Sequence, residues 1–266
     1  MLRVLLIAGL FLRGENIMNK QEIKHTTGYK QIGNTCGIYA FINAMIYDKK
    51  HKHKKYKINC LAKKIWEKAI DIKKDNIKNM NPDEVHYSLV GEFGSSENLA
   101  KFLNENKNYI NELLSRIGEK HFNEAKVIDQ NQIDNLSIGN YLVIIRTRDE
   151  ILHCICYRKK VFNKGEIINS NGIFGGNQGR RAMKLAIGKR RKITCFDELR
   201  VLINDAQHIR KVNLKSSKDP DSNLKDWPEV AKDNFNKIEN SDECYYSYEN
   251  YDDKKPPFLP IKIDIV

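Results

Sequence analysis

A change of period partway along the chain limits its fold more than any other feature. From Cys36 to about residue 120 the apolar residues recur at helical spacing. Ile38, Phe41, Ile42, Met45 and Ile46 form one such row, and Leu61, Ile65, Trp66 and Ala69 form a second. "SSENLAKFLNEN" opens on a Ser/Glu cap signal and "NYINELLSRIG" follows it, so two more helices are expected there. Asn34 or Thr35 is placed to cap the first helix, and Pro82 to break the chain. From residue 140 the texture changes. "NYLVIIRT" (140–147), "ILHCICYRKK" (151–160) and "EIINS" (166–170) are short β-rich runs, separated by the turn signals "RDE" and "FNKG". "CFDELRVLINDA" (195–206) reads as a late helix. The order predicts an α+β chain, a helical lobe followed by an antiparallel sheet lobe, with a cleft between them as the place for a site.

The expected boundaries follow from that order. A single domain is expected over 18–212, with the helical lobe at about 34–137 and the sheet lobe at about 138–212. Residues 213–266 hold Pro220, Pro228, Pro256, Pro257 and Pro260 among many polar groups, which predicts an irregular surface extension. At the other end, Val4 to Leu12 resemble a short signal-peptide core after Arg3. Arg13 follows at once, no small-x-small cleavage site is present, and Met18 is a second possible start. The codons of Arg13-Gly14-Glu15 can spell a purine-rich ribosome-binding sequence ahead of it. Residues 1–17 are therefore expected to be a leader or a segment preceding the native start. No apolar run reaches the roughly 20 residues that span a bilayer.

The chain carries a net charge of +12, concentrated in "KKHKHKKYK" (49–57) and "GKRRK" (188–192). Neither run sits in a nucleic-acid motif, so nucleic acid is not an expected partner. "NGIFGGNQG" (171–179) lacks the Lys-Ser/Thr of a phosphate loop, which argues against a nucleotide. His51 and His53 have only Cys60 nearby and no second pair, so they read as a basic surface loop rather than a metal site. The six cysteines form no CxxC pair. Cys154 and Cys156, two apart in an expected strand, point to one face and are poorly placed to bond each other. Reduced thiols in a cytoplasmic protein are expected, with secretion as the alternative if residues 1–17 act as a signal.

The chemistry begins at "YKQIGNTCGIYAFINAM" (29–45). Cys36 stands at a helix start, where unpaired N–H groups and the helix dipole favour a thiolate. Gly33 and Gly37 flank it and permit close backbone approach. A thiol nucleophile needs a base. Of the seven histidines, His25 lies in a polar leader and His51, His53, His121 and His208 lie in charged surroundings. His86 is a lesser candidate. His153, inside the apolar run "ILHCICY", is the best placed. Sixteen residues later Asn169 can accept a hydrogen bond from one ring nitrogen and leave the other to face the thiol. Taken singly, His153 reads as a packed strand residue and Asn169 as a strand-end turn residue.

Together, "QIGNTCGIYAF" and "LHCICYRKKVFNKGEIINSNG" resemble the Gln-to-Cys segment and the His-to-Asn strands of the papain-like cysteine peptidase superfamily. Cys-Gly in place of Cys-Trp is most similar to the bacterial double-glycine-leader peptidases. The resemblance implies a papain-like fold, the nucleophile helix packed on an antiparallel sheet. It also implies a Cys36–His153–Asn169 triad with Gln31 at the oxyanion, a peptide or protein substrate, and no cofactor or metal. The chain departs from the pattern at three places. Gln31 stands five residues before Cys36 rather than six, Asn171 replaces the shielding Trp, and Leu152 replaces a polar residue before the His. "GNTC" with "INAM" is also similar to the cysteine box of ubiquitin-specific proteases, which usually carry a longer insertion before the His. Acyltransferase, deamidase and transglutaminase activities share the thioester step, and a non-catalytic basic binding protein is the alternative of another class. The triad sets a condition on the hairpin. A tight turn at 163–165 would pair Lys159 with Asn169 and leave His153 roughly 20 Å away. A loop centred near Val161, or a bulge, is required to bring His153 opposite Asn169; failing that, Asn171 or another residue must take the third role.

Overall fold

The computed structural model describes residues 22–32, 35–46, 53–70, 93–146, 152–161, 164–170, 193, 195–208, 211–213, 227–240, 245–247 and 257–266. The expected basic run 188–192, the Gly-rich loop 171–179, Asn34, His51, Pro82, His86 and residues 1–17 lie outside them.

The chain is α+β. Its principal strands are β1 (Glu22–Thr27), β2 (Phe122–Val127), β3 (Gly139–Arg146), β4 (Leu152–Lys159) and β5 (Lys164–Asn169), with a small pair β6 (Lys211–Asn213) and β7 (Tyr245–Ser247), and a last strand β8 (Ile261–Ile265). The main sheet has six strands in the order β1-β5-β4-β3-β8-β2. β1 runs parallel to β5, and every other neighbouring pair is antiparallel.

Alternation along β3, β4 and β5 divides the core in two. Leu142, Ile144, Cys154, Cys156 and Ile168 face one side; Val143, Ile145, Ile155, Tyr157 and Ile167 face the other. The first face receives α1 (Cys36–Ile46), in which every residue after Cys36 is buried. A helix apolar on all sides is stable only when enclosed. Here β4 and β3 lie on one flank and α2 (Lys55–Ala69) on another. α3 (Ser96–Glu105) begins where Ser95 Oγ accepts from the Asn98 N–H at 3.1 Å, the cap that its sequence announces. α4 (Lys107–Arg116) follows directly. The second face is covered by α5 (Phe196–Gln207), which lies against β3.

Three features differ from the expected lobes. "EIKHTT", read as polar leader, is an edge strand whose one apolar residue, Ile23, lies in the core. "FNEAKV" also forms a strand, and a register shift between Phe122 and Glu124 spoils the period-two pattern that would have marked it. The expected irregular extension is a correction of larger scale. Ile261 and Ile263 of β8 are buried inside the sheet between β3 and β2. Trp227 and Phe235, the latter on α6 (Glu229–Glu239), join the α1 side of the core, with Trp227 edge-on to Trp66 at 5.1 Å. Pro228 stands just before α6 and Pro260 just before β8, so these prolines open short elements and do not exclude them. Gln207 pins the approach to β8: its amide donates to the Phe258 carbonyl at 2.7 Å and its Oε1 accepts from the Phe258 N–H at 3.0 Å. The helices thus cover both faces of one sheet, and the sheet draws strands from both the early and the late described residues.

Candidate active site

Thr35 provides the carbonyl that accepts the first helical hydrogen bond, from the Tyr39 N–H at 2.9 Å. Its own hydroxyl turns back to donate to the Ile32 carbonyl at 2.6 Å. Cys36 is therefore the first residue of α1, among the N–H groups that no helical carbonyl satisfies. It is half-buried, whereas Cys154, Cys156 and Cys195 are buried and Cys60 is exposed.

The direction of α1 places this thiol. At the helix end, Asn140 Nδ2 donates to the Ala44 carbonyl at 3.1 Å, and Asn140 is paired across the ladder with Arg158. At the helix start, Cys36 is close enough to Cys154 for its charge to act there. Burial pushes the Cys154 thiol well above its ordinary range, and charge on Cys36 and Cys156 raises it further. From Cys36 to Ala44 a helix rises about 12 Å, and from Cys154 to Arg158 a strand rises about 13 Å. α1 and β4 thus run side by side in the same direction, and Cys36 comes level with the first residues of β4.

His153 is the second residue of β4 and is buried. Its Nε2 lies 2.7 Å from Asn169 Oδ1. A carboxamide oxygen only accepts, so Nε2 carries the proton and Nδ1 holds the lone pair of the neutral ring. Burial lowers the His153 pKa, and the Asn169 bond offsets part of that shift. Burial thus favours the neutral form of the ring.

The hairpin reaches this bond in a way the turn arithmetic did not foresee. Lys159 pairs with Gly165 and Cys156 with Ile168, which centres the connection one residue beyond Val161. Extended one step, that register sets Asn169 opposite Ile155, two residues from His153. Residues two apart on a strand share a face, and the diagonal of about 7–8 Å is within reach of a long side chain. No bulge is required: Asn169 stays opposite Ile155 and its side chain meets His153 along the diagonal.

Gln31 is stitched to the same strand end. Its N–H donates to the Ser170 carbonyl at 2.8 Å, and its Oε1 accepts from Ser170 Oγ at 3.0 Å. The Gly28 N–H donates to the Asn169 carbonyl at 2.8 Å. Gly28 also packs against Asn43 of α1 so closely that a Cβ would come within 2.5 Å of the Asn43 amide. Asn43 Oδ1 accepts from the Tyr29 N–H at 2.9 Å. Ser170 and Asn43 were not singled out from sequence. Asn43 had a signal, being the one amide in an otherwise apolar helix; Ser170 had none.

The other expected positions divide differently. His53 belongs to no surface loop: it is buried, with Nε2 2.6 Å from Glu119 Oε1. A carboxylate three residues past α4 makes burial of that ring tolerable. His25 Nε2 donates to the Ile193 carbonyl at 2.7 Å. Among the described residues no group of three or more His, Cys, Asp or Glu side chains could hold a metal ion, and no helix is long and apolar enough to cross a membrane.

No family model matches the chain, and neither a curated protein nor a solved structure matches it.

Proposed function

We propose that the protein is a thiol-dependent hydrolase of papain-like type that cleaves a peptide or isopeptide bond through Cys36, His153 and Asn169. The observation that carries this reading is the 2.7 Å bond from His153 Nε2 to Asn169 Oδ1, made level with a half-buried cysteine at the first position of a helix. In this reading the Cys36 thiol gives its proton to His153 Nδ1 and its sulfur attacks the carbonyl carbon. His153 returns the proton to the leaving amine as the C–N bond breaks, and water then hydrolyses the thioester to the acid. The pleat turns Cys154 toward α1 and His153 the other way, so this reading requires the imidazole to come to the thiol round the end of β4. The Cys36 N–H and the Gln31 amide are assigned to the oxyanion. The route calls on no cofactor.

The test is competitive alkylation with iodoacetamide at pH 7, read by peptide mass spectrometry. Cys36 is expected to react at least about tenfold faster than the exposed Cys60, and His153→Ala is expected to abolish that advantage. Equal rates at the two cysteines would remove the nucleophile assignment.

A further inference from the structure

We infer that Ser170 is a positioning residue that fixes which side of the Gln31 carboxamide meets a reacting carbonyl. The inference rests on the acyl-transfer reading of Cys36 and adds to it a residue outside the triad.

A glutamine side chain has an acceptor branch and a donor branch, and only the donor branch can stabilise a developing oxyanion. An unrestrained carboxamide rotates between the two, and half of its orientations would turn an oxygen lone pair toward the negative charge. Ser170 removes that freedom. Its Oγ–H donates to Gln31 Oε1 at 3.0 Å, from a side chain that is 1% exposed. A buried hydroxyl of this kind has no water to turn to. A second bond, from the Gln31 N–H to the Ser170 carbonyl at 2.8 Å, holds the backbone of Gln31 to the same residue. With Oε1 held on the Ser170 side, the Nε2 hydrogens lie on the opposite branch of the planar amide.

Ser170 also follows Asn169 directly. Alternation sends the two side chains to opposite sides of the strand. Asn169 orients the imidazole on one side and Ser170 orients the glutamine on the other. One strand end thus sets both the base and the oxyanion donor.

The experiment separates two reactions of the same thiol. Alkylation by iodoacetamide passes through no oxyanion, whereas acylation by p-nitrophenyl acetate does. Ser170→Ala is expected to leave alkylation of Cys36 within about twofold of wild type and to slow acylation about tenfold, part of the hundredfold or more that a lost oxyanion donor costs. In a Gln31→Ala background the Ser170→Ala change is expected to add nothing further. Gln31→Glu, which keeps the acceptor and lacks the amide donors, is expected to slow acylation as Gln31→Ala does. This gives a reading even if Ser170→Ala folds poorly. The assignment is overturned if Ser170→Ala slows both reactions alike, if its effect persists without Gln31, or if Gln31→Glu acylates at the wild-type rate. A wild-type Cys36 that alkylates no faster than Cys60 overturns the acyl-transfer reading itself, and with it the role of Ser170.

Discussion

His153 and Asn169 bond at 2.7 Å across a diagonal of the β4–β5 hairpin, two residues out of direct register. Among the described residues, Asn169 is the side chain that bonds the ring. Two influences act on its pKa in opposite directions: burial lowers it and the Asn169 bond raises it. Asn169→Ala removes the second, so the pKa falls further. The acid limb of the Cys36 alkylation profile is expected to move to lower pH, while the rate at pH 7 drops about tenfold or more because the tautomer is no longer held. An acid limb that moves to higher pH would contradict this account.

Stability is expected to fall with acid in two stages. His153 has a folded pKa below its ordinary 6.5, so below that pH the unfolded chain binds a proton that the folded chain resists. Glu166 behaves likewise at lower pH. Burial alone would raise its pKa, but hydrogen bonds from Lys160 at 2.7 Å and Thr26 at 2.5 Å outweigh burial and hold it below its ordinary 4.5. For both groups the stabilisation is complete above the unfolded pKa and is lost as the pH falls toward the folded one. The midpoint of thermal unfolding should decline first on acidification through about pH 6.5 and again below about pH 4.5. Glu166→Gln should weaken the second decline and leave the first.

Gly28→Ala tests how the segment before Cys36 is held. The added Cβ would lie 2.5 Å from Asn43 Nδ2, and Asn43, fully buried, cannot move aside without releasing the Tyr29 N–H. A loss of about 2–3 kcal/mol in urea unfolding is expected from overpacking together with a strained buried hydrogen bond. The Cys36 alkylation rate should fall as well, because Gly28 and Gln31 are the points at which this segment bonds to the strand end bearing Asn169.

These residues also show what a sequence of this kind makes legible. The helices of the first half and the three strands β3 to β5 follow from period alone, because each buries a face large enough to impose one. His153 could be paired with Asn169, and Cys36 singled out at a helix start, because such side chains carry their chemistry themselves. What escaped lacked an autonomous pattern. β1 has one apolar residue, Ile23, β2 is broken by a register shift, and β8 is five residues long and joins strands from the middle of the chain. Ser170 is a serine like others until its bond to Gln31 is seen. His53 looked exposed because its neighbours are lysines, and only the distant Glu119 accounts for its burial.

The outer edge of β2 gives a last prediction. An edge strand leaves a row of backbone groups open to pairing with another chain. Two asparagines close part of this one. Asn104 Nδ2 donates to the Ala125 carbonyl at 2.9 Å while its Oδ1 accepts from the Ala125 N–H at 2.9 Å. Asn111 does the same for Phe122, at 2.8 and 2.7 Å. Each side chain thus imitates a neighbouring strand at one residue, and the two together cover Phe122 and Ala125 on the α3–α4 side of β2. Asn104→Ala and Asn111→Ala each remove two hydrogen bonds from one residue, at an expected cost of about 1–2 kcal/mol apiece. The double variant should do more than sum these losses, since it reopens an edge long enough to pair. Light scattering of the folded double variant is expected to show concentration-dependent association that neither single variant shows. If the double variant is monomeric at every concentration, the asparagines act on stability alone and the edge is guarded by something else.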